Sequence, residues 1–299
     1  MNTLRNVVDD LYADMRANWS MATNNYIALS QAEKKLFVKS GISVLYNKQR
    51  IRSTAANISK ESIEKRPCFL CPQNRPTEQR GYAWRDYWIL VNPYPIFERH
   101  LTVVSQKHEE QTIVGKMRDL YALATEMGEE FIAFYNGAKC GASAPDHMHF
   151  QVIGQKLQWI VGPKTIESAE IYNDEEEGRI CSEIADGRLR YRLCHAKEET
   201  AEKLLVKLLG MRDIDTDMMN AYGLRRKKET DIYIVPRLTF RPTYYYAVGD
   251  EHILVSPAAV EVGGTLVLPR EEDFEKMNEN IAIDILRQVC YSADNDIKK

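Results

Sequence analysis

The pentapeptide HMHFQ has the residue types and the spacing of a reactive site. His147, His149 and Gln151 occupy alternate positions. In a β-strand, side chains two residues apart share one face, so two imidazoles and one amide would lie together. The intervening Met148 and Phe150 are apolar and would point to the opposite face. The segment therefore predicts a strand that buries one side in a core and presents its polar side to a cleft.

The loop before this pentapeptide is rich in small residues, which do not form a regular element. Between residues 136 and 146 it contains Gly137, Gly141, Ala142, Ser143 and Pro145. Small residues allow backbone N–H groups to approach an anion closely. The loop therefore predicts a phosphate-binding segment beside the histidines.

An Asn…Gly-Ala-Ser loop followed by His-x-His-x-Gln resembles the transferase branch of the histidine-triad superfamily. That branch contains galactose-1-phosphate uridylyltransferases, GDP-L-galactose phosphorylases and diadenosine tetraphosphate phosphorylases. The resemblance implies that His149 is the nucleophile, which carries a nucleotidyl group in a covalent intermediate, and that Gln151 holds the phosphate. It also implies that Asn136, Gly141 and Ser143 contact substrate phosphates. HMHFQ lacks the proline that uridylyltransferases have between their histidines.

A base or ribose pocket is harder to predict than the phosphate site. Asn92 follows the apolar run WILV and is one candidate, together with nearby Tyr82, Trp84 and Tyr87. Aromatic residues beside strands more often belong to the core, which is the alternative reading of these three.

Cys68 and Cys71 form a Cys-x-x-Cys motif, which alone is weak support for a metal site because zinc sites usually need two further ligands. His108, at the end of an apolar run, and His147 are candidates for those ligands. Two thiolates and two imidazoles suit tetrahedral zinc. The alternative is that both cysteines are reduced, buried thiols.

The segments CFLCPQN and SQKH also resemble the zinc-binding segments of the uridylyltransferases. The resemblance implies one structural zinc ion held by Cys68, Cys71, His108 and His147. With all four positions filled by protein ligands, such an ion would not act as a Lewis acid. It would fix the end of the strand that presents His149.

Gln151 bears on the type of reaction, because simple histidine-triad hydrolases have a third histidine at this position. An amide cannot donate an acidic proton, so leaving groups that need no protonation, such as phosphates, are expected. The sequence predicts a nucleotidyltransferase or phosphorylase that acts on a nucleoside diphosphate-hexose or a dinucleoside polyphosphate, with phosphate or a sugar 1-phosphate as acceptor. A nucleotide hydrolase and a non-catalytic, nucleotide-binding zinc protein are the alternatives.

Composition excludes several other classes of protein. The chain has 299 residues, 28% charged residues and a net charge of −3, without the basic surplus of a nucleic-acid-binding protein. No apolar run reaches the ~20 residues needed to span a bilayer. Asp9, Asp10 and Asp14 interrupt the region where a signal peptide would be apolar. We therefore expect a cytoplasmic enzyme that binds neither membranes nor nucleic acid, and a homodimer is left open.

The apolar patterns predict an α+β fold in which antiparallel sheets are flanked by helices. Leu4, Val7, Val8, Leu11 and Met15 repeat at helical spacing. Ser30 and Glu33 could form a capping box that begins a second helix. Strands and one helix are predicted, in the order expected by resemblance for a histidine-triad unit, at 42–46, 88–92, 101–105, about 112–127 (helix) and 131–135.

An internal duplication is suggested by a short recurrence. ILVNP at 89–93 recurs as ILVSP at 253–257, and continuing without a gap aligns LTVV at 101–104 with TLVL at 265–268. The uridylyltransferases and phosphorylases also contain two such halves. The sequence thus predicts a catalytic half with the zinc site at residues 1–170 and a half without the catalytic motif at residues 171–299.

Overall fold

The computed structural model describes residues 4–51 and 60–293. Its strands are β1 (Lys34–Phe37), β2 (Ile42–Tyr46), β3 (Gly81–Trp84), β4 (Tyr87–Val91), β5 (His100–Ser105), β6 (Ile132–Asn136), β7 (His149–Ile153), β8 (Ile166–Asp174), β9 (Gly178–Ala185), β10 (Arg188–Cys194), β11 (Met219–Arg226), β12 (Glu229–Pro236) and β13 (Thr265–Leu268). Its α-helices are α1 (Leu4–Asn18), α2 (Ser20–Ser30), α3 (Lys60–Glu64), α4 (Met117–Met127), α5 (Gln158–Val161), α6 (Ala201–Met211), α7 (Thr243–Tyr246), α8 (Ala259–Val262), α9 (Glu271–Lys276) and α10 (Glu279–Val289). Short 3-10 helices span Lys48–Arg50, Pro72–Asn74 and Gly249–Glu251.

Ten strands form one sheet in the order β3-β4-β5-β7-β6-β11-β12-β10-β9-β8, and neighbouring strands are antiparallel. Five strands from the first part of the chain meet five from the later part at the β6–β11 pair. A smaller sheet contains β1 and β2 as an antiparallel pair, with β13 parallel to β2. The prediction of an α+β fold with antiparallel sheets flanked by helices is confirmed.

Helices α1, α4 and α6 contribute to the main core together with residues of the large sheet. The predicted apolar face of α1 is buried as expected. In β7, Phe150 and Val152 point into this core, and Met148 just before the strand joins them. Because side chains alternate along a strand, His149 and Gln151 point to the opposite face. That face is partly covered by a second apolar cluster, so His149 is only 4% exposed.

Two predictions about the fold have different outcomes. The internal duplication is not confirmed: residues 253–257 form no strand, and β13 lies parallel to β2 in the small sheet, whereas β5 is antiparallel to β4 in the large one. The two segments share apolar composition but bury it against different neighbours. The helix expected after Ser30 is wrong, because α2 ends at Ser30 and β1 begins at Lys34.

The division into two halves near residue 170 stays a prediction. That position lies in β8, and strands from both sides of it share the ten-stranded sheet.

Within the described part of the chain, the helices are too short or too polar to cross a lipid bilayer.

Candidate active site and metal centre

The four predicted metal ligands lie together in one cluster. One potential ligand atom from each of Cys68, Cys71, His108 and His147 is within 4.8 Å of the others. Cys68 Sγ is 3.2 Å from His147 Nδ1, and Cys71 Sγ is 3.3 Å from His108 Nδ1 and 3.5 Å from His147 Nδ1. The two Nδ1 atoms are 3.3 Å apart.

These separations fit the edges of a tetrahedral zinc site. Zn–N bonds of about 2.0–2.1 Å and Zn–S bonds of about 2.3 Å give N···N edges of roughly 3.3–3.4 Å and S···N edges of roughly 3.5 Å. The tautomer of one ligand also fits, because His147 Nε2 lies 2.9 Å from the Ser105 carbonyl oxygen. A carbonyl can only accept, so Nε2 carries the proton and Nδ1 keeps its lone pair for a metal. Burial raises the pKa of the Cys68 thiol to about 11, so a thiolate here requires a nearby cation.

His149 is the first residue of β7 and follows this cluster directly. Its Nδ1 atom lies 2.8 Å from the carbonyl oxygen of His147, which makes Nδ1 the protonated nitrogen. Burial lowers the pKa of His149 to about 4, so the ring is neutral near pH 7. Among the residues that the structure describes, none makes a hydrogen bond to its Nε2, which is left with a lone pair.

Gln111 holds the backbone of His149, and its role was not predicted from the sequence. The His149 N–H donates to Gln111 Oε1 at 2.8 Å, and Gln111 Nε2 donates to the His149 carbonyl at 3.0 Å. Gln111 Nε2 also donates to the Asn136 carbonyl at 2.9 Å. An isolated glutamine in a loop has no periodicity or motif that would have singled it out.

Gln151 lies on the same face of β7 as His149, and a buried histidine fixes its amide. The Ile96 N–H donates to His100 Nδ1, so His100 Nε2 carries the proton and donates to Gln151 Oε1 at 2.7 Å. Burial lowers the pKa of His100 to about 3, and the positive charge of Arg50 acts in the same direction. With its oxygen engaged, Gln151 has its amide N–H groups left to bind an acceptor such as a phosphoryl oxygen.

The remaining predicted contact residues are placed as follows. Asn92 uses its amide within the protein: Oδ1 accepts from the Tyr94 N–H and Nδ2 donates to Thr102 Oγ1. Beside Asn92, although not among the predicted contact residues, Arg50 donates to the Tyr94 carbonyl at 3.2 Å and is partly buried. Residues 52–59 lie outside the described part of the chain.

The small-residue loop packs against the later part of the chain. Asn136 Oδ1 accepts from Asn220 Nδ2 at 3.1 Å and from the Ala259 N–H at 2.8 Å, so a substrate contact would have to use its amide nitrogen. Gly141 has φ of +129°, and a Cβ at this position would lie 2.6 Å from Ala258 Cβ. Only glycine fits this close approach. Ser143 is exposed.

The predicted metal ligands and the predicted nucleophile therefore converge at one end of β7. His147 differs from the prediction in one respect, because it precedes the strand instead of sharing its face with His149. Its ring faces Cys68, Cys71 and His108, while the ring of His149 faces the opposite side of the sheet from the main core. The two imidazoles thus serve different parts of the site.

Comparisons with known proteins agree with this architecture. Residues 11–154 match the family profile described as a domain of unknown function (DUF4922), and residues 224–295 match the GDPGP1-like C-terminal domain. A search of curated proteins gives no significant match. The crystal structure of yeast Ap4A phosphorylase Apa2 is similar, with 13% identity and a TM-score of 0.56, over 91% of this chain and 96% of that chain. The same yeast enzyme in complex with Ap4A gives 13% identity and a TM-score of 0.54, over 91% and 96% of the two chains.

A uridylyltransferase mutant is also similar, over 68% of this chain and 85% of that chain, but its TM-score of 0.37 at 13% identity is too low to support an inference. The chain has the fold of the transferase branch of the histidine-triad superfamily, as the resemblance implied. Yeast Ap4A phosphorylase Apa2 is one solved structure that it resembles over almost its whole length. At 13% identity this likeness establishes the fold, and the reaction of this chain has to be argued from its own residues.

Proposed function

We propose that this protein is a nucleotidyltransferase of the phosphorylase type, acting through a nucleotidyl-histidine intermediate. The donor would be a dinucleoside polyphosphate or a nucleoside diphosphate-hexose, and the acceptor would be phosphate or a sugar 1-phosphate. The observation that carries the proposal is the state of His149, a neutral imidazole whose Nδ1 is bound to the His147 carbonyl. Its Nε2 lone pair is therefore the nucleophile.

In the first step, His149 Nε2 forms a bond to the α-phosphorus of the donor. The bond from that phosphorus to the bridging oxygen breaks, and the leaving group departs as a phosphate with the electron pair. The ring gains positive charge, which the His147 carbonyl stabilises through the Nδ1 proton. In the second step an oxygen of the acceptor phosphate attacks the phosphorus, and the N–P bond breaks to return neutral His149.

Gln151 favours transfer between phosphates. Its N–H groups can bind phosphoryl oxygens, because His100 holds its oxygen, but an amide cannot protonate a poor leaving group. Ser143 and the backbone of the small-residue loop are proposed to bind the other phosphates. Asn92, Asn136 and Gly141 are proposed to shape this site, mainly by holding the neighbouring segments in place.

The Cys2His2 cluster is proposed to hold zinc in a structural role. Zinc bound to Cys68, Cys71, His108 and His147 would neutralise the thiolates and fix this end of the sheet. Four protein ligands leave no open position for substrate, so the chemistry is assigned to His149 and Gln151. The cytoplasmic location predicted from the sequence belongs to the same proposal.

The test is a screen of Ap4A, GDP-glucose and UDP-glucose, each with and without phosphate, in which products are separated and quantified. We expect one donor to be consumed faster with phosphate and to label His149 with one nucleoside monophosphate when the acceptor is absent. His195→Asn is the matched histidine control, because His195 is exposed beside Glu229 and has φ of +55°, which asparagine tolerates. Equal hydrolysis with and without phosphate would establish the hydrolase alternative, and no turnover of any donor would favour the non-catalytic one.

A further inference from the structure

We infer that Gln111 is a positioning residue that replaces the missing strand partner of His149 and ties the nucleophile to the start of the small-residue loop. The inference rests on the proposed function for its kinetic consequence only. Its structural content, the hold on the His149 peptide, is independent of any reaction.

The register of β6 and β7 shows what is missing. The pairing runs from Ile132↔Ile153 to Phe134↔Gln151 and stops there. Two residues further, the same register would place Asn136 opposite His149. On the β5 side His149 faces Val104, but its N–H and C=O do not point that way. They point toward β6, since both bond to the Gln111 side chain on that side. The strands separate where Asn136 leads into the loop, and His149 is left without a backbone partner.

The Gln111 amide lies in the gap between the two strands. It accepts the His149 N–H with Oε1 and donates from Nε2 to the carbonyls of His149 and Asn136. One side-chain amide thus supplies both the acceptor and the donors that a paired strand would have supplied. Its orientation is fixed, because two carbonyls and one N–H admit only one placement of oxygen and nitrogen. Gln111 is 2% exposed, so water does not compete for these groups.

The backbone around Gln111 is itself anchored to the same site. The Gln111 N–H donates to the Pro145 carbonyl at 3.1 Å, and Tyr135 Oη donates to the Gln111 carbonyl at 3.1 Å. Two residues earlier, the Glu109 carbonyl accepts from the Met148 N–H at 2.7 Å. The segment that carries Gln111 therefore contacts both ends of the small-residue loop and the residue before the nucleophile.

This arrangement has a specific kinetic consequence. A nucleophile that is misplaced by about 1 Å reacts roughly 100-fold more slowly, although the substrate still binds. Loss of Gln111 should therefore lower the rate of His149 nucleotidylation and leave KM nearly unchanged. A residue that only stabilised the fold would change the amount of active protein, and would not lower kcat per active molecule.

Gln111→Ala removes all three hydrogen bonds. Gln111→Glu keeps the shape and an acceptor for the His149 N–H but loses both donors. Gln106→Ala is the matched control, because Gln106 lies on the same segment and its exposed side chain bonds only to the carbonyls of Arg85 and Tyr87 among the described residues. Each variant is measured for zinc content, cooperative unfolding, kcat and KM with the donor found in the screen, and amide hydrogen exchange at His149 and Val152. Val152 is paired on both sides and serves as the internal reference.

We expect kcat of Gln111→Ala to fall about 100-fold, with KM within about threefold of wild type. Amide exchange should accelerate at His149 and not at Val152, while Gln106→Ala behaves as wild type. In Gln111→Glu the His149 amide should stay protected while kcat falls. The inference is overturned if Gln111→Ala leaves kcat unchanged. If the alanine variant does not fold, an unchanged kcat in Gln111→Glu overturns it. If wild type transfers no nucleotide, the proposed function fails, and hydrogen exchange alone decides the place of Gln111.

Discussion

The most quantitative prediction concerns the buried imidazole of His100 and the stability of the protein at acid pH. His100 is fully buried, accepts from the Ile96 N–H and donates to Gln151. Burial lowers its pKa from 6.5 to about 3 in the folded protein. Below pH 6.5 the unfolded chain therefore binds a proton at this site that the folded chain does not bind. The free energy of unfolding must fall as pH falls, down to about pH 3.

The magnitude follows from the two pKa values. For one site that titrates at 6.5 when unfolded and at about 3 when folded, linkage gives a loss of about 2 kcal/mol between pH 7 and pH 5. His100→Gln keeps a donor for Gln151 but removes both the titrating group and the acceptor for the Ile96 N–H. At pH 7 the variant should be less stable by about 1–3 kcal/mol, because a buried N–H loses its partner.

The assay is urea unfolding at pH 7, 6 and 5, with zinc present throughout, for wild type, His100→Gln and His195→Asn. The difference in stability between pH 7 and pH 5 should be about 2 kcal/mol smaller in His100→Gln than in wild type. Other titrating groups are common to both proteins and cancel in this comparison. His195→Asn, at an exposed histidine outside the site, is the control for histidine replacement as such. An identical pH dependence in His100→Gln and wild type would refute the assignment of His100 as a buried neutral base.

Three further outcomes are expected. Purified protein should contain about one zinc ion per chain by elemental analysis, and Cys68→Ser or His108→Ala should lower both zinc content and thermal stability; wild type without zinc but with full stability contradicts the metal centre. His149→Ala should abolish turnover and the nucleotidyl adduct while zinc content stays unchanged, and an adduct that persists would assign the nucleophile elsewhere. Gln151→His should raise the ratio of hydrolysed to transferred product, measured with and without phosphate, because a titratable ring can protonate poor leaving groups.

The parts of the site that carry a sequence signature were predictable, and the parts that hold them in place were not. Cys-x-x-Cys, His-x-His-x-Gln and the alternation of Met148 and Phe150 each encode local chemistry or local periodicity, and the structure brings them together. Gln111 and His100 act through contacts that are distant in sequence, so no spacing marks them. His147 was placed on the strand because alternation alone cannot show where a strand begins.

In the later part of the chain, local sequence patterns likewise do not reveal which segments come into contact. The recurrence of ILVNP as ILVSP reflects shared apolar composition, which does not determine which strand a segment pairs with. The contact that matters for the site lies elsewhere, where Ala258 packs against Gly141 and the Ala259 N–H binds Asn136. Neither alanine carries a recognisable signal. Their role follows only from the fold, which brings the two parts of the chain together beside the loop.

The atoms of the peptide between His147 and His149 explain why the proposed chemistry is confined to one nitrogen. The His147 ring lies in the Cys2His2 cluster and its Nε2 donates to the Ser105 carbonyl, which fixes the start of this segment. The His147 carbonyl holds Nδ1 of His149, and Gln111 holds the His149 N–H and C=O. Three independent groups thus fix the backbone, the ring orientation and the tautomer of one residue. Nε2 is the only polar atom of His149 without such a partner among the described residues. We therefore propose that the Cys2His2 cluster and a loop glutamine, neither of which contacts the proposed substrate, both contribute to its reactivity.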